Sequence, residues 1–165
     1  MPQSTTQKLY LVMLVFKPVS SIMSEHLITV NPEDSLVRVK EIFDTHAFHH
    51  IPVVRFREIV GMVSRSDFDH FLGGCKLNTE DKLIGELRVK RTKVEEIMTK
   101  RLGKVEPEDR INVALEIFTL NRFHALPVIK NGELVGLITP FDIMKALLEV
   151  KPEESYQAYD EKTQA

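Results

Sequence analysis

The sequence predicts a mixed α+β protein built from two copies of one unit, and two observations carry this. Residues 22–67 align without a gap on residues 97–142 at a fixed offset of 75, and 18 of those 46 positions are identical. Each copy also runs through the same patterns in order: a short apolar strand, an apolar stripe at helical spacing, two apolar runs joined by a tight turn, and a second helix. That order is β-α-β-β-α. An offset of 75 exceeds the roughly 20–50 residues of solenoid repeats, so a whole domain is duplicated. Two copies of one fold are expected to pack about a pseudo-twofold axis. A unit of about 60 residues is marginal alone, so the copies are expected to share a core.

The chain divides into an arm (1–18), repeat one (19–72), a linker opening with Gly73-Gly74 (73–93), repeat two (94–149) and a polar, acidic tail (150–165) expected to fray. In each repeat a strand near residues 27–30 is expected to end at Pro32, with Pro107 as its match. A helix is expected to start at Glu33-Asp34, or Glu108-Asp109, where acidic side chains suit the helix dipole. Leu36, Val39, Ile42 and Phe43 recur at the helical period, as do Ile111, Ala114, Ile117 and Phe118. Two apolar runs follow in each copy, 51–54 with 59–63 and 126–129 with 134–138. In copy two they flank Asn131-Gly132, a strong hairpin signal. Copy one has Phe56-Arg57 there, which predicts a different or wider turn. The closing helices are expected to face inward through Phe68, Phe71 and Leu72, or through Met144, Leu147 and Leu148.

Composition narrows the function. The 22 basic and 24 acidic residues argue against an electrostatic nucleic-acid binder. A single cysteine, Cys75, excludes an internal disulfide. The apolar run 9–16 is too short to span a bilayer. Lys8 precedes it, but no small-x-small cleavage site follows before the first repeat. It reads as a strand or arm packed on the domain or on a second subunit, and a cytoplasmic location with no membrane partner is expected.

The repeated polar segment is Gly61-Met62-Val63-Ser64-Arg65-Ser66-Asp67, matched by Gly136-Leu137-Ile138-Thr139-Pro140-Phe141-Asp142. In both, a strand runs into Ser/Thr-x-x-Asp and then a helix. One reading is a capping box, in which hydroxyl and carboxylate satisfy free N–H groups; Pro140 at the first helical position agrees with it. The other reading is a ligand site. A helix start attracts phosphate, a hydroxyl donates to it, and an Asp accepts from a pair of vicinal hydroxyls. Together these suit a ribose that carries phosphate. The two readings are compatible, and no Gly-x-Gly-x-x-Gly or Gly-Lys-Ser/Thr loop accompanies them.

The full string, Ile-Met-Ser/Thr, Val-x-Pro-Glu-Asp, His-x-Ile/Leu-Pro-Val and Val-Gly-x-Val/Ile-Ser/Thr-x-x-Asp, occurs twice in order. It resembles the cystathionine-β-synthase (CBS) domain, and the tandem resembles a CBS pair, or Bateman module, over about residues 19–149. The resemblance implies two β-α-β-β-α units joined through their sheets, with two clefts that take adenosine compounds such as AMP, ADP, ATP, S-adenosylmethionine or dinucleotides. It also implies a disc-like homodimer. In the first cleft it assigns Asp142 to the ribose, Thr139 to ribose or phosphate, Thr29 to the ligand's neighbourhood and Phe48 to the adenine pocket. In the second, Asp67, Ser64 and Phe123 take those roles, and Lys104 replaces the threonine, either adding a phosphate contact or filling the cleft. His49 (second cleft) and His124 (first) either reach phosphates or pack beside the sheet.

His46, His49 and His50 raise the alternative of a metal site, but only His49 is repeated. Arg88, Lys90, Arg91 and Lys93 form a basic stretch that reads as a solvated face near a cleft rim. No nucleophile–base pair is evident, so the expectation is a regulatory module without catalysis, needing no cofactor, sensing an adenosine nucleotide or S-adenosylmethionine for an unidentified regulated protein. The alternative from another class is a ligand-free scaffold or dimerisation unit.

Overall fold

The computed structural model describes residues 14–73, 79–121 and 123–149. Residues 9–13 of the arm, Cys75 and the tail lie outside them. Repeat one contains α1 (Leu36–Thr45), β1 (His50–Arg55), β2 (Glu58–Ser64) and α2 (Arg65–Leu72). A linker helix, α3 (Thr79–Arg91), precedes repeat two, which contains α4 (Ile111–Asn121), β3 (Leu126–Lys130), β4 (Glu133–Ile138) and α5 (Pro140–Leu148). The sheets are two antiparallel hairpins, β1–β2 and β3–β4. The expected first strand of each unit is reduced to one parallel bridge, Val30 on Val53 and Val105 on Val128. Around each of these valines one N–H and one C=O are used: Val30 N–H donates to Pro52 O and Val54 N–H to Val30 O.

The first helices start later than the acidic clusters. Ser35 caps α1, its hydroxyl accepting from Val37 N–H at 3.1 Å. Asp34 instead accepts from Asn31 N–H at 2.8 Å, and Asp109 repeats this on Glu106 N–H at the same distance. These carboxylates close the turn before the helix rather than its first turn. The apolar stripe is confirmed: Leu36, Val39, Ile42 and Phe43 are buried, as are Ile111, Ala114 and Phe118. In the last helix Ile143 is buried and Leu147 packs beside it, but Met144 and Leu148 face outward, correcting the expected inward face. The offset of 75 explains this, since Met144 corresponds to Asp69 and Leu148 to Gly73.

The units interlock. The core of repeat one takes in Val89 of the linker helix and Val94 beyond it, with Ile97 and Met98 packed on it. The core of repeat two takes in Leu14 and Val19, with Ile22 and Met23. Leu14 and Val15 are helical, which corrects the strand alternative for this part of the arm. Paired hydrogen bonds hold the exchange. Val94 N–H donates to Asp34 O at 2.9 Å and Val19 N–H to Asp109 O at 2.7 Å; Glu95 reaches Pro32 O and Ser20 reaches Pro107 O. Further on, Met62 and Thr99 exchange two backbone bonds, as do Leu137 and Ser24. Each crossing ends with a methionine against a glycine. A Cβ on Gly61 would lie 2.5 Å from Met98 Sδ, and one on Gly136 2.5 Å from Met23 Sδ. Ile59 and Met62 of β2 join Ala125 and Leu137 in a third cluster, through which the two sheets pack.

Both hairpins turn in two residues. Arg55 pairs with Glu58 as Lys130 pairs with Glu133, and both ladders shift register at the same point. Phe56 and Arg57 have φ of 51° and 72°, matching Asn131 and Gly132 at 53° and 85°. The expectation of a different turn in copy one is therefore wrong. The ladders over-determine the turn, and Arg57 is held by Leu134 N–H on its carbonyl at 3.0 Å and Glu133 on its guanidinium. The left-handed conformation costs about 1–2 kcal/mol at a non-glycine residue. Phe56→Asn with Arg57→Gly is accordingly expected to raise stability by about 1 kcal/mol and the melting temperature by about 2–4 °C. A calorimetric scan checks it; an unchanged midpoint refutes it.

Candidate functional site

The Ser/Thr-x-x-Asp segments form capping boxes at the starts of α2 and α5. Asp67 Oδ2 accepts from Ser64 N–H at 3.0 Å and Ser64 O–H at 2.6 Å, while Ser64 Oγ accepts from Asp67 N–H at 3.0 Å. Asp142 Oδ2 accepts from Thr139 N–H at 2.7 Å and Thr139 O–H at 2.6 Å, and Thr139 Oγ1 accepts from Asp142 N–H at 3.3 Å. Each hydroxyl spends its only proton on its own carboxylate, so neither donates to a phosphate while the box is intact. Each Asp keeps Oδ1 without a hydrogen-bond partner among the described residues. Both aspartates are half-buried. A part-covered oxygen with free lone pairs is the acceptor a ribose hydroxyl needs.

The crossing bridges decide which segment borders which box. Thr99 pairs with Met62, two residues before Ser64, so residues 100–104 lead away from the Ser64–Asp67 box. Ser24 pairs with Leu137, two residues before Thr139, so residues 25–29 lead away from the other. Thr29 and Lys104 each lie five residues beyond their crossing.

Repeat two carries an open cleft of about 620 Å³, lined by Lys100, Arg101, Leu102, Gly103 and Lys104 with Ile117 and Phe123. The structure brings Lys104 and Phe123 together there. Lys100, Arg101 and Gly103 were missed in the sequence, although the offset pairs them with Glu25, His26 and Ile28. Gly103 lets Phe123 in: a Cβ there would lie 2.9 Å from Phe123 Cε2 and 2.9 Å from Leu126 Cδ2. In copy one Ile28 packs on the core instead, and Phe48, 38% exposed, stacks on His46 with ring centroids 5.0 Å apart.

The histidines separate. Arg65 N–H donates to His49 O at 2.9 Å, fixing His49 at the start of α2 beside the Ser64–Asp67 box. Pro140 has no N–H to repeat this bond on His124. The exposed His124 ring instead stacks across the repeats on His50, with centroids 6.5 Å apart. Among the described residues no three His, Cys, Asp or Glu side chains gather at metal-binding distance. In the basic stretch Arg88 lies 4.7 Å over the Phe71 ring and Lys93 pairs with Glu33 at 3.8 Å.

Burial holds the His50 imidazole below its usual 6.5; His124 and His49 add to this, and Asp67 opposes it. The unfolded chain then protonates His50 near pH 6.5 and the folded chain only at lower pH. Between these the unfolded state binds more protons, so this contribution is complete above about pH 6.5 and is lost as pH falls below it. His50→Asn is expected to flatten the acid side of the stability profile, measured by urea denaturation at about pH 7.5 and about pH 5.5. An unaltered slope contradicts this.

Two interlocked β-α-β-β-α units with an open cleft beside Phe123 define a tandem-repeat module. The chain belongs to the CBS-domain family, whose model matches residues 19–74 and again residues 94–149. Inosine-5'-monophosphate dehydrogenase of Korarchaeum cryptofilum is 31% identical over 128 residues, which are 77% of this chain and 24% of that enzyme. The chain thus spans about a quarter of that relative's length. The crystal structure of CBSX2 in complex with AMP matches with a TM-score of 0.67 at 24% identity, over 81% of this chain and 98% of that one. A CBS domain pair in complex with 5'-methylthioadenosine and S-adenosyl-L-methionine matches with a TM-score of 0.65 at 20% identity, over 82% and 99%. Among the described residues no helix is long and apolar enough to cross a membrane.

Proposed function

We propose that this CBS pair is a non-catalytic regulatory module. It takes an adenosine nucleotide or S-adenosylmethionine in the clefts between its repeats and passes occupancy to a partner or to a dimer interface. The observation that carries the reading is the second cleft. An aromatic ring and three cations line its wall, and each capping box holds an Asp with one unused oxygen. That set provides a face for a base, an acceptor for ribose hydroxyls and donors for phosphate. A volume of about 620 Å³ lies within the range of small-ligand sites, about 300–1,000 Å³. The AMP and S-adenosylmethionine complexes of related folds support the ligand class.

Transmission follows from the interlock. Residues 100–104 line the cleft, and Thr99 just before them exchanges backbone bonds with Met62 of β2 in the other repeat. A ligand that favours one spacing of the two repeats shifts their packing by its differential affinity. Leu120, Phe141, Met144 and Leu148 are exposed on α4 and α5, and Phe56 is 93% exposed at its hairpin tip. These support a homodimer, and the cytoplasm is its proposed location. A monomeric mass by light scattering at micromolar concentration refutes the dimer.

Calorimetric titration of the full chain with AMP, ATP and S-adenosylmethionine tests the function. Binding of at least one, weakened in Asp67→Ala or Asp142→Ala, is expected. If both variants lose only the cap, about 0.5–2 kcal/mol of stability, and no ligand binds at millimolar concentration, the module is a scaffold.

A further inference from the structure

Two imidazole rings meet at the joint between the repeats. His50 opens β1 and stands opposite Ser64 in the β1–β2 ladder, at the end of the sheet that carries the Ser64–Asp67 box. His124 lies just before β3 and follows Phe123, which lines the open cleft. The rings are nearly parallel, with centroids 6.5 Å apart and planes 14° from each other. The offset of 75 pairs His49 with His124 and His50 with Ala125. The stack therefore forms on one side of the pseudo-twofold axis alone, and Ala125 is buried instead in the cluster through which the two sheets pack. His50 is half-buried, while His124 and His49 are exposed. Burial disfavours a proton on His50, as do His124 from repeat two and His49 beside it, and the carboxylate of Asp67 on α2 opposes them. Arg65, the first residue of α2, turns its guanidinium to the Phe43 ring, 4.6 Å from the centroid. A proton thus binds His50 better in an arrangement that solvates it than in this one, and such a difference in affinity is what lets any ligand shift a conformational equilibrium. A proton on each ring sets two like charges across the 6.5 Å of the stack, where each disfavours the other.

We propose that the His50–His124 pair is a proton-operated latch on the joint between the repeats: neutral rings hold the packing seen here, and protonated rings part it at the end that carries Ser64, Asp67 and Phe123. The module then reads pH as an input of its own, whichever ligand its cleft takes, so the latch stands apart from the adenosine reading.

Amide hydrogen exchange of the full chain by NMR, at about pH 7.5 and about pH 5.5 and corrected for intrinsic rates, tests it. The reporters are the N–H groups of Ser24, Met62, Thr99 and Leu137, whose backbone bonds cross between the repeats. The controls are Val54 and Ile129, whose bonds to Val30 and Val105 stay within one repeat. Protection at the reporters is expected to fall by about threefold to tenfold at the lower pH, tenfold being the ceiling for one group that titrates near about 6.5 when solvated. The controls are expected to hold. His50→Ala installs the residue of copy two, and His50→Phe keeps a ring without a proton. Each is expected to make protection at the reporters independent of pH. Reporters that hold at about pH 5.5 in the unsubstituted chain overturn the latch. Equal loss at reporters and controls is general unfolding and overturns it too. A loss that persists in a folded His50 variant assigns the proton to another group and overturns it as well.

Discussion

Residues 19–73 expressed alone are expected to give no cooperative thermal or urea transition, whereas the full chain is expected to unfold in a single one. The repeat seen in the sequence is not the unit that closes a core. Repeat one is completed by Val89 and Val94, the first 5% exposed and the second fully buried, and both lie outside residues 19–73. Burying two such valines contributes about 3–6 kcal/mol, a large part of the roughly 5–15 kcal/mol that holds a domain folded. The fragment also leaves Leu36 N–H without Thr92 O, its acceptor at 3.1 Å, and takes away the donors to Asp34 O and Pro32 O. Meanwhile its own Val19, Ile22 and Met23 lose the core of repeat two, on which they pack. Circular dichroism melts and amide-proton dispersion in NMR measure the outcome. A sigmoidal melt for residues 19–73 would show that the exchanged segments are accessory.

The same exchange marks where the sequence stops being informative. Helix stripes, the Asn131-Gly132 turn and both capping boxes follow from local chemistry, and the stripes and boxes appear in both residues 22–67 and 97–142. Local chemistry says nothing about which of two nearly identical neighbours a segment packs on. Val19 and Val94 carry the same pattern into equivalent grooves, and only chain geometry sends each to the other repeat. The Phe56-Arg57 turn was misjudged for a related reason, since its backbone is set by the pairing on both sides and by Leu134 and Glu133 across the sheet interface. Helix α3 was hidden because its charged sequence has little apolar periodicity, although Gly85 and Val89 are buried. The cleft was half legible. Lys104 stood out against Thr29, but Lys100, Arg101 and Gly103 gain meaning only once Thr99 is seen pairing with Met62. Thr29 matches the family pattern more closely than Lys104 does, yet Lys104, a departure from that pattern, lines the cleft.

Gly103→Ile, which installs the residue copy one carries, is expected to close that cleft. The new Cβ falls 2.9 Å from Leu126 Cδ2 and Phe123 Cε2, and 3.2 Å from Phe123 Cδ2. Leu126 is fully buried and has nowhere to move, whereas Phe123 is only partly covered. The ring therefore yields, and it yields into the space that lines the site. Overpacking of this kind costs about 1–3 kcal/mol of stability. The same range, spent in moving the ring back for each bound ligand, weakens affinity by about fivefold to 150-fold. Gly103→Ala separates the two consequences, since a methyl group displaces Phe123 without filling the cleft. Calorimetry with ATP and thermal melts of both variants make the comparison. A graded loss of affinity from Ala to Ile locates binding at this cleft. Full affinity in Gly103→Ile, alongside a lowered melting temperature, would place the nucleotide elsewhere and leave Gly103 only the job of seating Phe123. Copy one tolerates isoleucine because its phenylalanine, Phe48, rests on His46 instead. The single residue at this position thus decides whether the aromatic side chain of a repeat lies against the strand segment or away from it, and so whether a wall exists for a base to stack on.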